Sequence, residues 1–293
     1  MPIFFSIIIP TYNRATLITE TINSLLKQSF QNFELLVIDD GSTDNTEEVV
    51  ASIKDERISY CKKGNEERGA ARNYGTRLAR GKYINFFDSD DLAYSNHLQV
   101  AFNLITSKHP HCEVLHTNYD VKKGDKVEHS EKKIKEGIIN EFLIRDNFLS
   151  CNNVFVRQDI ALEHPFPENR IMAIAEDWAL WLTLGARYPI YHSDIVTSTI
   201  VFHDNRSVFD FNIDKIIKRD LLLIKYLFED KAFVSYYKKG GSLFKAERYT
   251  FIALFLAIKG RKKESVQYLI LSIKATIKVF FTRRFWGTIK NLI

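Results

Sequence analysis

Three carboxylates, Asp88, Asp90 and Asp91, stand within four residues at the end of an apolar run, in the stretch INFFDSDDL. If strand geometry persists past Phe87, residues two apart point the same way, and Asp88 and Asp90 share a side. Two such carboxylates, about 5.5 Å apart, repel by about 3 kcal/mol at an effective dielectric near 20. A bound cation removes that repulsion. Oxygen ligands favour a hard ion, Mg²⁺ or Mn²⁺, and magnesium is usually held by one or two carboxylates together with substrate phosphates. The acids therefore imply a metal-bound diphosphate. The competing reading is that Asp90 or Asp91 caps a following helix near 95–105 while the other acids face solvent.

The elements that must position these acids alternate regularly. FSIII, FELLVI, ISYC and YINFF are apolar or strand-like runs at 5–9, 33–38, 58–61 and 83–87, and helical spacing follows the first three at 17–26, 46–53 and 70–79. Ser42 or Thr43, with Glu47 or Glu48 nearby, is the expected cap of the second helix. Continuous apolar strands each followed by a helix predict a parallel sheet covered on both faces. Ligands bind beyond the carboxyl ends of such strands, so PTYNR (10–14), DDGSTD (39–44) and DSDD (88–91) share one rim. None of these loops fits GxGxxG or GxxxxGK[ST], which disfavours a Rossmann dinucleotide site and a P-loop.

A chain of 293 residues, 45% hydrophobic, can bury a sizeable core. Cys61, Cys112 and Cys151 lack the spacing of a disulfide framework or a zinc site, which fits a reducing, cytoplasmic compartment. The opening MPIFFSIIIP has neither a basic start nor a small-residue cleavage site and reads as a first buried strand. Charge is uneven. From Lys259 onward there are nine Lys/Arg and one acid, Glu264, whereas the rest of the chain is slightly acidic. Such a tail fits an anionic surface or a solvated helix face.

Five motifs, SIIIPTYNR, ELLVIDDGSTDNT, GAARNYG, GKYINFFDSDDL and EDWALWL, occur in the order and spacing of family-2 glycosyltransferases with the GT-A fold, a resemblance covering residues 4–205. It implies an inverting, metal-dependent enzyme that moves a sugar from a nucleotide-diphosphate donor, most often uridine-linked, to an acceptor hydroxyl. By the resemblance, Pro10, Thr11, Tyr12 and Arg14 wall the nucleotide pocket, Asp40 hydrogen-bonds the base, and Arg72 reaches the base or a phosphate. Asp88 looks like the ribose-side member of an Asp-X-Asp pair around Ser89, and Asp90 like the metal ligand, with Asp88 and His203 as further ligand candidates. A partly buried strand-end histidine is the alternative for His203. Asp177 resembles the general base, with Glu176 assisting acceptor placement; an acid at a helix start can also simply complement the helix dipole. Gly75-Thr76-Arg77-Leu78 looks like a nucleotidyltransferase motif, but it falls inside the third helix rather than in an early glycine-rich loop.

The second half reads as strands at 113–119 and 152–156 with a hairpin at KGDK, and a helix with an apolar stripe of Trp178, Trp181, Leu182 and Leu184. Beyond 209 only helices are expected, at 213–228, 243–258 and 266–281, the last forming part of a basic, aromatic interfacial segment. The expected organisation is a catalytic domain at 1–208, split into a nucleotide-binding half (1–110) and an acceptor half (111–208), followed by a helical region at 209–293. The expected partners are a nucleotide-diphospho-sugar donor and a glycan or lipid-linked acceptor of surface polysaccharide synthesis. No nucleic acid is expected. The tail rests either on the inner face of the cell membrane or against another element or subunit, as in a homo-oligomer. A catalytically inactive nucleotide-sugar-binding scaffold is the alternative function.

Overall fold

The computed structural model describes residues 2–129, 134–203 and 212–293. The chain divides into two compact units, Met1–Asn140 with Phe148–Arg206, and Glu141–Asn147 with Ser207–Ile293. In the first, β1 (Phe5–Thr11), α1 (Ile18–Leu26), β2 (Phe33–Asp39), α2 (Thr46–Ser52), β3 (Ile58–Lys62), α3 (Arg68–Leu78) and β4 (Tyr83–Phe86) alternate as the periodicity requires. There follow β5 (Leu92–Ala93), α4 (His97–Asn103), β6 (Val114–Lys123), β7 (Lys126–His129) and β8 (Gly137–Ile138), whereas α5 (Asn140–Leu143) falls, but for its first residue, in the second unit. The first unit closes with β9 (Val154–Arg157), α6 (Gln158–Glu163), α7 (Glu176–Gly185) and β10 (Ile190–Phe202).

The sheet runs β3-β2-β1-β4-β9-β6-β10-β5, with β7 beside β6 and β8 beside β10. Strands β3, β2, β1 and β4 are mutually parallel, whereas β9 lies antiparallel to both β4 and β6, so the sheet becomes mixed where the second half joins. Every residue of β1 and β2 is buried, which explains their continuous rather than alternating apolar pattern. Ile7, Ile9, Leu35 and Val37 join one core with Ile18, Ile22 and Leu25 of α1. Ile8 and Ile38 point the other way, and there a Cβ built on Gly75 would come within 2.5 Å of Ile8 and 3.1 Å of Ile38. That glycine of the GTRL stretch is therefore a packing residue of α3. The β6–β7 hairpin turns at Gly124-Asp125, as expected, with Lys123 opposite Lys126.

A buried polar network crosses the junction between the parallel and mixed parts. Asn85 Nδ2 donates to the carbonyls of Asn152 and Val154, which leaves its Oδ1 for His97 Nε2 at 3.3 Å. The imidazole is therefore protonated on Nε2, and its Nδ1 accepts from the Thr197 hydroxyl at 2.8 Å. Thr197 Oγ1 lies in turn 2.8 Å from Thr117 and 3.1 Å from Asn153 Nδ2. Burial holds His97 neutral, with its pKa pushed down to about 3.

Several local expectations are overturned. The amide of Thr46 at the start of α2 is bonded by Asp44, not by Ser42 or Thr43, whose backbone amides face Asp39 and Asn13. Helix α4 starts at His97, and neither Asp90 nor Asp91 caps it. Helix α7 is buried from Trp178 to Gly185, so it has no single apolar stripe. In the second unit, α8 (Ile213–Glu229), α9 (Lys231–Tyr236), α10 (Gly241–Ile258), α11 (Lys262–Ala275) and α12 (Arg283–Leu292) follow one another. The helix expected across 266–281 breaks at Thr276, whose extended backbone and side chain cap a short 3-10 turn, and Thr282 caps α12 in the same way. Periodicity does not register such caps inside an apolar stretch.

The His97 geometry has a measurable consequence. The unfolded chain takes up a proton at the ordinary imidazole pKa and the native chain does not, so stability is complete above about pH 6.5 and falls on acidification by about 1.4 kcal/mol per pH unit. Urea unfolding between pH 5 and 6.5 should show this slope reduced by about that amount in His97→Gln. An unchanged slope would mean that the native imidazole is open to protons.

Candidate active site

The site is assembled around one guanidinium. Arg72, on the inner face of α3 and 2% exposed, donates from Nη1 to Glu176 Oε1 and from Nη2 to Asp88 Oδ1, each at 2.8 Å. Its guanidinium carbon lies 5.1 Å from the centre of the Phe166 ring. Burial alone would lower the arginine's pKa, but neighbouring groups that include Asp88 and Glu176 outweigh it and hold the value above normal. The rest of GAARNYG explains how the arginine comes to be there. Gly69 lets the chain at Pro167 pass so close that a Cβ would lie 2.7 Å from its carbonyl oxygen. Asn73 pairs with the backbone of Phe166 like a strand neighbour, accepting from its amide and donating to its carbonyl, both at 2.9 Å. Arg72 is thus buried, not a solvated helix residue, and both of its terminal nitrogens are engaged within the protein.

Strand geometry does not continue past β4. The amide of Asp91 donates to the Asp88 carbonyl, so 88–91 form a turn and the three acids diverge. Asp88 meets Arg72. Asp90 Oδ2 lies 3.0 Å from His203 Nε2 and 3.7 Å from Arg14 Nη2. Asp91, fully buried, accepts from Asn152 Nδ2 and from the Val201 amide, each at 2.8 Å. Asn152 also accepts from the amide of Asp88. The third acid is therefore a fastener that fixes the turn to the end of β10 and so sets His203 beside Asp90. Ser89 is buried in the same turn.

Of the three candidate metal ligands, Asp90 and His203 lie together and could hold a metal, whereas Asp88 is engaged by Arg72. Two ligand atoms 3.0 Å apart match neighbouring positions on a divalent ion with bonds near 2.1 Å. Among the described residues no group of three or more His, Cys, Asp or Glu side chains is placed to hold an ion. Two protein ligands suit a magnesium-like ion that completes its shell with phosphate oxygens and water.

The two earlier loops are knitted together along the same rim. Asn13, in the left-handed region at φ 51°, accepts from the Thr43 amide, and its own amide donates to Ser42 Oγ. Pro10 and Thr11 are buried, the Thr11 hydroxyl without a hydrogen-bond partner among the described residues, while Tyr12 is 45% exposed. Asp40 is 4% exposed and already accepts from Lys63 Nζ and from the amides of Glu66 and Glu67. Asp40 thereby orders the loop leading into α3.

Helix α7 begins at the motif EDW. Ile174, two residues before it, has φ 76°, a strained conformation for a β-branched residue. Glu176 is buried, and its Oε2, like Arg72 Nε, has no partner among the described residues. Asp177 is half-buried and its Oδ1 accepts from the Trp178 amide at 2.7 Å. Beneath this group burial pushes the Cys151 thiol well above its ordinary pKa, so it is a neutral packing residue.

Glu176 and Asp88 therefore meet on Arg72, whereas Asp90, Arg14 and His203 form a second cluster two residues along the same turn. Asp91, Asn152, Gly69 and Asn73 escape sequence reasoning. Asp91 differs from its neighbours in no way visible in the sequence, and the consecutive asparagines 152–153, read there as strand, precede β9 and spend their side chains on distant partners.

A family model described as Glycosyl transferase family 2 matches residues 6–163. The chain belongs to that family. It is 30% identical over 310 residues to an uncharacterized glycosyltransferase of Rickettsia conorii, covering 93% of this chain and 51% of that protein. It is also 30% identical over 180 residues, 61% of this chain and 68% of the relative, to the UDP-Glc:alpha-D-GlcNAc-diphosphoundecaprenol beta-1,3-glucosyltransferase WfgD of Escherichia coli. The family-2 chain spans about half the length of the Rickettsia relative. Among solved structures it resembles S. aureus TarS 1-349 in complex with UDP-GlcNAc, with a TM-score of 0.64, 21% identity and coverage of 92% and 89% of the two chains. The mannosyltransferase PcManGT from Pyrobaculum calidifontis, in complex with GDP-Man and Mn²⁺, gives 0.61, 16%, 99% and 88%. These likenesses establish the fold of this family-2 chain, a mixed α/β GT-A-like sheet with C-terminal helices.

The Arg72 clamp can be tested by urea unfolding. Arg72→Met strands the buried Glu176 carboxylate and should cost about 3–5 kcal/mol, part of which Glu176→Gln should restore in the double variant. A loss below about 1 kcal/mol would show that the pair is solvated in the protein.

Proposed function

We propose that this chain transfers a sugar from a nucleoside-diphosphate sugar to an acceptor hydroxyl with inversion at the anomeric carbon. The observation that carries the reading is Arg72, because one guanidinium holds Asp88 of the acidic turn, two residues from Asp90, and Glu176 at the start of α7, next to Asp177. In this reading Pro10, Thr11, Tyr12, Arg14 and Asp40 form the nucleotide wall, and Asp88 with Ser89 faces the ribose. Asp90 and His203 hold the metal, Mn²⁺ or Mg²⁺. Bound there, a divalent cation supplies Lewis-acid stabilisation of the departing diphosphate.

Asp177 acts as general base. It is more exposed than Glu176, and its Oδ1 bond to the Trp178 amide orients the carboxylate that takes the acceptor proton. Glu176, whose Oε2 has no partner among the described residues, orients the acceptor. The relative WfgD is named for a UDP-Glc donor and a diphosphoundecaprenol-linked acceptor, which supports a uridine donor and a lipid-linked acceptor in surface glycan synthesis here. The fold leaves the base open, since one similar structure carries UDP-GlcNAc and the other GDP-Man.

In this assignment 1–208 is the catalytic domain and 209–293 a helical appendix. Among the described residues no helix is long and apolar enough to cross a membrane. Ile277, Phe281 and Trp286 are nevertheless 71%, 90% and 59% exposed, interleaved with Lys278, Arg283 and Lys290, and we assign this surface to an anionic membrane face. Phe281→Ser with Trp286→Ser should abolish co-sedimentation with anionic liposomes in low salt; retention would remove the membrane assignment.

Thermal unfolding with UDP, GDP, TDP and CDP, with and without Mn²⁺, tests the donor site. A nucleotide at about 100 times its dissociation constant should stabilise by about 2.7 kcal/mol, in a metal-dependent way that Asp90→Asn loses. With that donor base, Asp177→Asn should lower kcat by about 10²–10⁴ while nucleotide affinity is kept. Binding without turnover in the wild type, across donors and acceptors, would leave the non-catalytic sugar-nucleotide reading in its place.

A further inference from the structure

The helical unit contains an open cavity at its surface, of about 320 Å³, lined by Phe228 of α8, by Lys245, Tyr249 and the exposed Ser242 of α10, and by Ala275 and the exposed Leu271 and Lys274 at the end of α11. Its size is that of a small-ligand site. The polar lining consists of two ammonium groups and two hydroxyls, with no carboxylate among them. Neither Lys245 nor Lys274 forms an ion pair with an acid among the described residues. Lys245 is half-buried, and its ammonium sits 5.2 Å from the centre of the Phe228 ring, so packing holds the charge at the cavity wall. Phe228, Leu271 and Ala275 supply an apolar wall beside these donors.

We infer that this cavity binds the phosphate of an anionic amphiphile, with the phosphate between Lys245 and Lys274 and the first part of its hydrocarbon chain against Phe228, Leu271 and Ala275. Four donor groups and no built-in anion select a group with several acceptor oxygens and negative charge, and a phosphate monoester offers both. The apolar wall distinguishes an amphiphile from free phosphate, which would gain nothing there. The lipid source also fits the position in the chain, because the exposed Ile277 follows Ala275 by two residues. The site lies wholly within the helical unit and does not depend on the proposed transfer reaction.

Isothermal titration of the full chain with soluble dihexanoyl phosphatidic acid, with inorganic phosphate and with dihexanoyl phosphatidylcholine tests it. Phosphatidic acid should bind saturably and more tightly than either other compound. Lys245→Gln with Lys274→Gln should weaken it about twenty-fivefold, about fivefold for each lysine. Leu271→Asn should weaken phosphatidic acid but not phosphate, and Lys238→Gln with Lys239→Gln, exposed and outside the cavity, should change neither. Equal affinity for phosphate and phosphatidic acid, untouched by Leu271→Asn, would assign the cavity to free phosphate and overturn the amphiphile. Absence of saturable binding, or equal losses in the cavity and control variants, would overturn the site altogether.

Discussion

A charge buried in a folded chain must be paired, and here one buried cation dictates the course of three segments. Arg72 can occupy the interior only if carboxylates come to it. Asp88 arrives at the end of the fourth strand, and Glu176 arrives from 104 residues farther along. To admit them, α3 carries glycine where the chain at Pro167 crosses and asparagine where Phe166 needs backbone partners. The strained backbone at Ile174 stands at the entry to the same corner.

Around this ion cluster the two kinds of strand arrangement serve different ends. The parallel half brings successive loops to one rim through helical crossovers, so PTYNR, DDGSTD and DSDD follow paired parallel strands. The antiparallel insertion of β9 between β4 and β6 turns the chain back across the sheet and lets β10 finish near Asp90. The polar network of Asn85, His97, Thr117, Asn153 and Thr197 lies at this change of direction, and its fully paired hydrogen bonds fix one register where apolar packing alone would tolerate others.

Most of this architecture was legible in the sequence, because strands 5–11, 33–39 and 83–86 and helices α1 to α3 announce themselves by continuous or periodic apolar residues. The rim loops followed from that order. What periodicity could not show was the use of single polar side chains. Asp91 and Asp90 are adjacent and identical in type, yet one is a buried fastener and the other faces Arg14 and His203, a difference decided by partners more than 100 positions away. The caps at Thr276 and Thr282 were hidden for the opposite reason, since they are local but sit within a stretch whose apolar spacing runs on undisturbed. The short β5 and β8 carry too few residues for any period to register.

The separations across the site also bear on the order in which the protein takes shape. The contacts Arg72–Glu176, Asp91–Val201 and Asp90–His203 span 104, 110 and 113 residues, whereas the four parallel strands pair within the first 86. On the ribosome, at about 5–20 residues per second, the first half emerges several seconds before α7 and β10 exist. During that interval the Arg72 charge and the acidic turn have no distant partners, and water must solvate them. The corner that defines this protein is therefore the last part of its sheet to close.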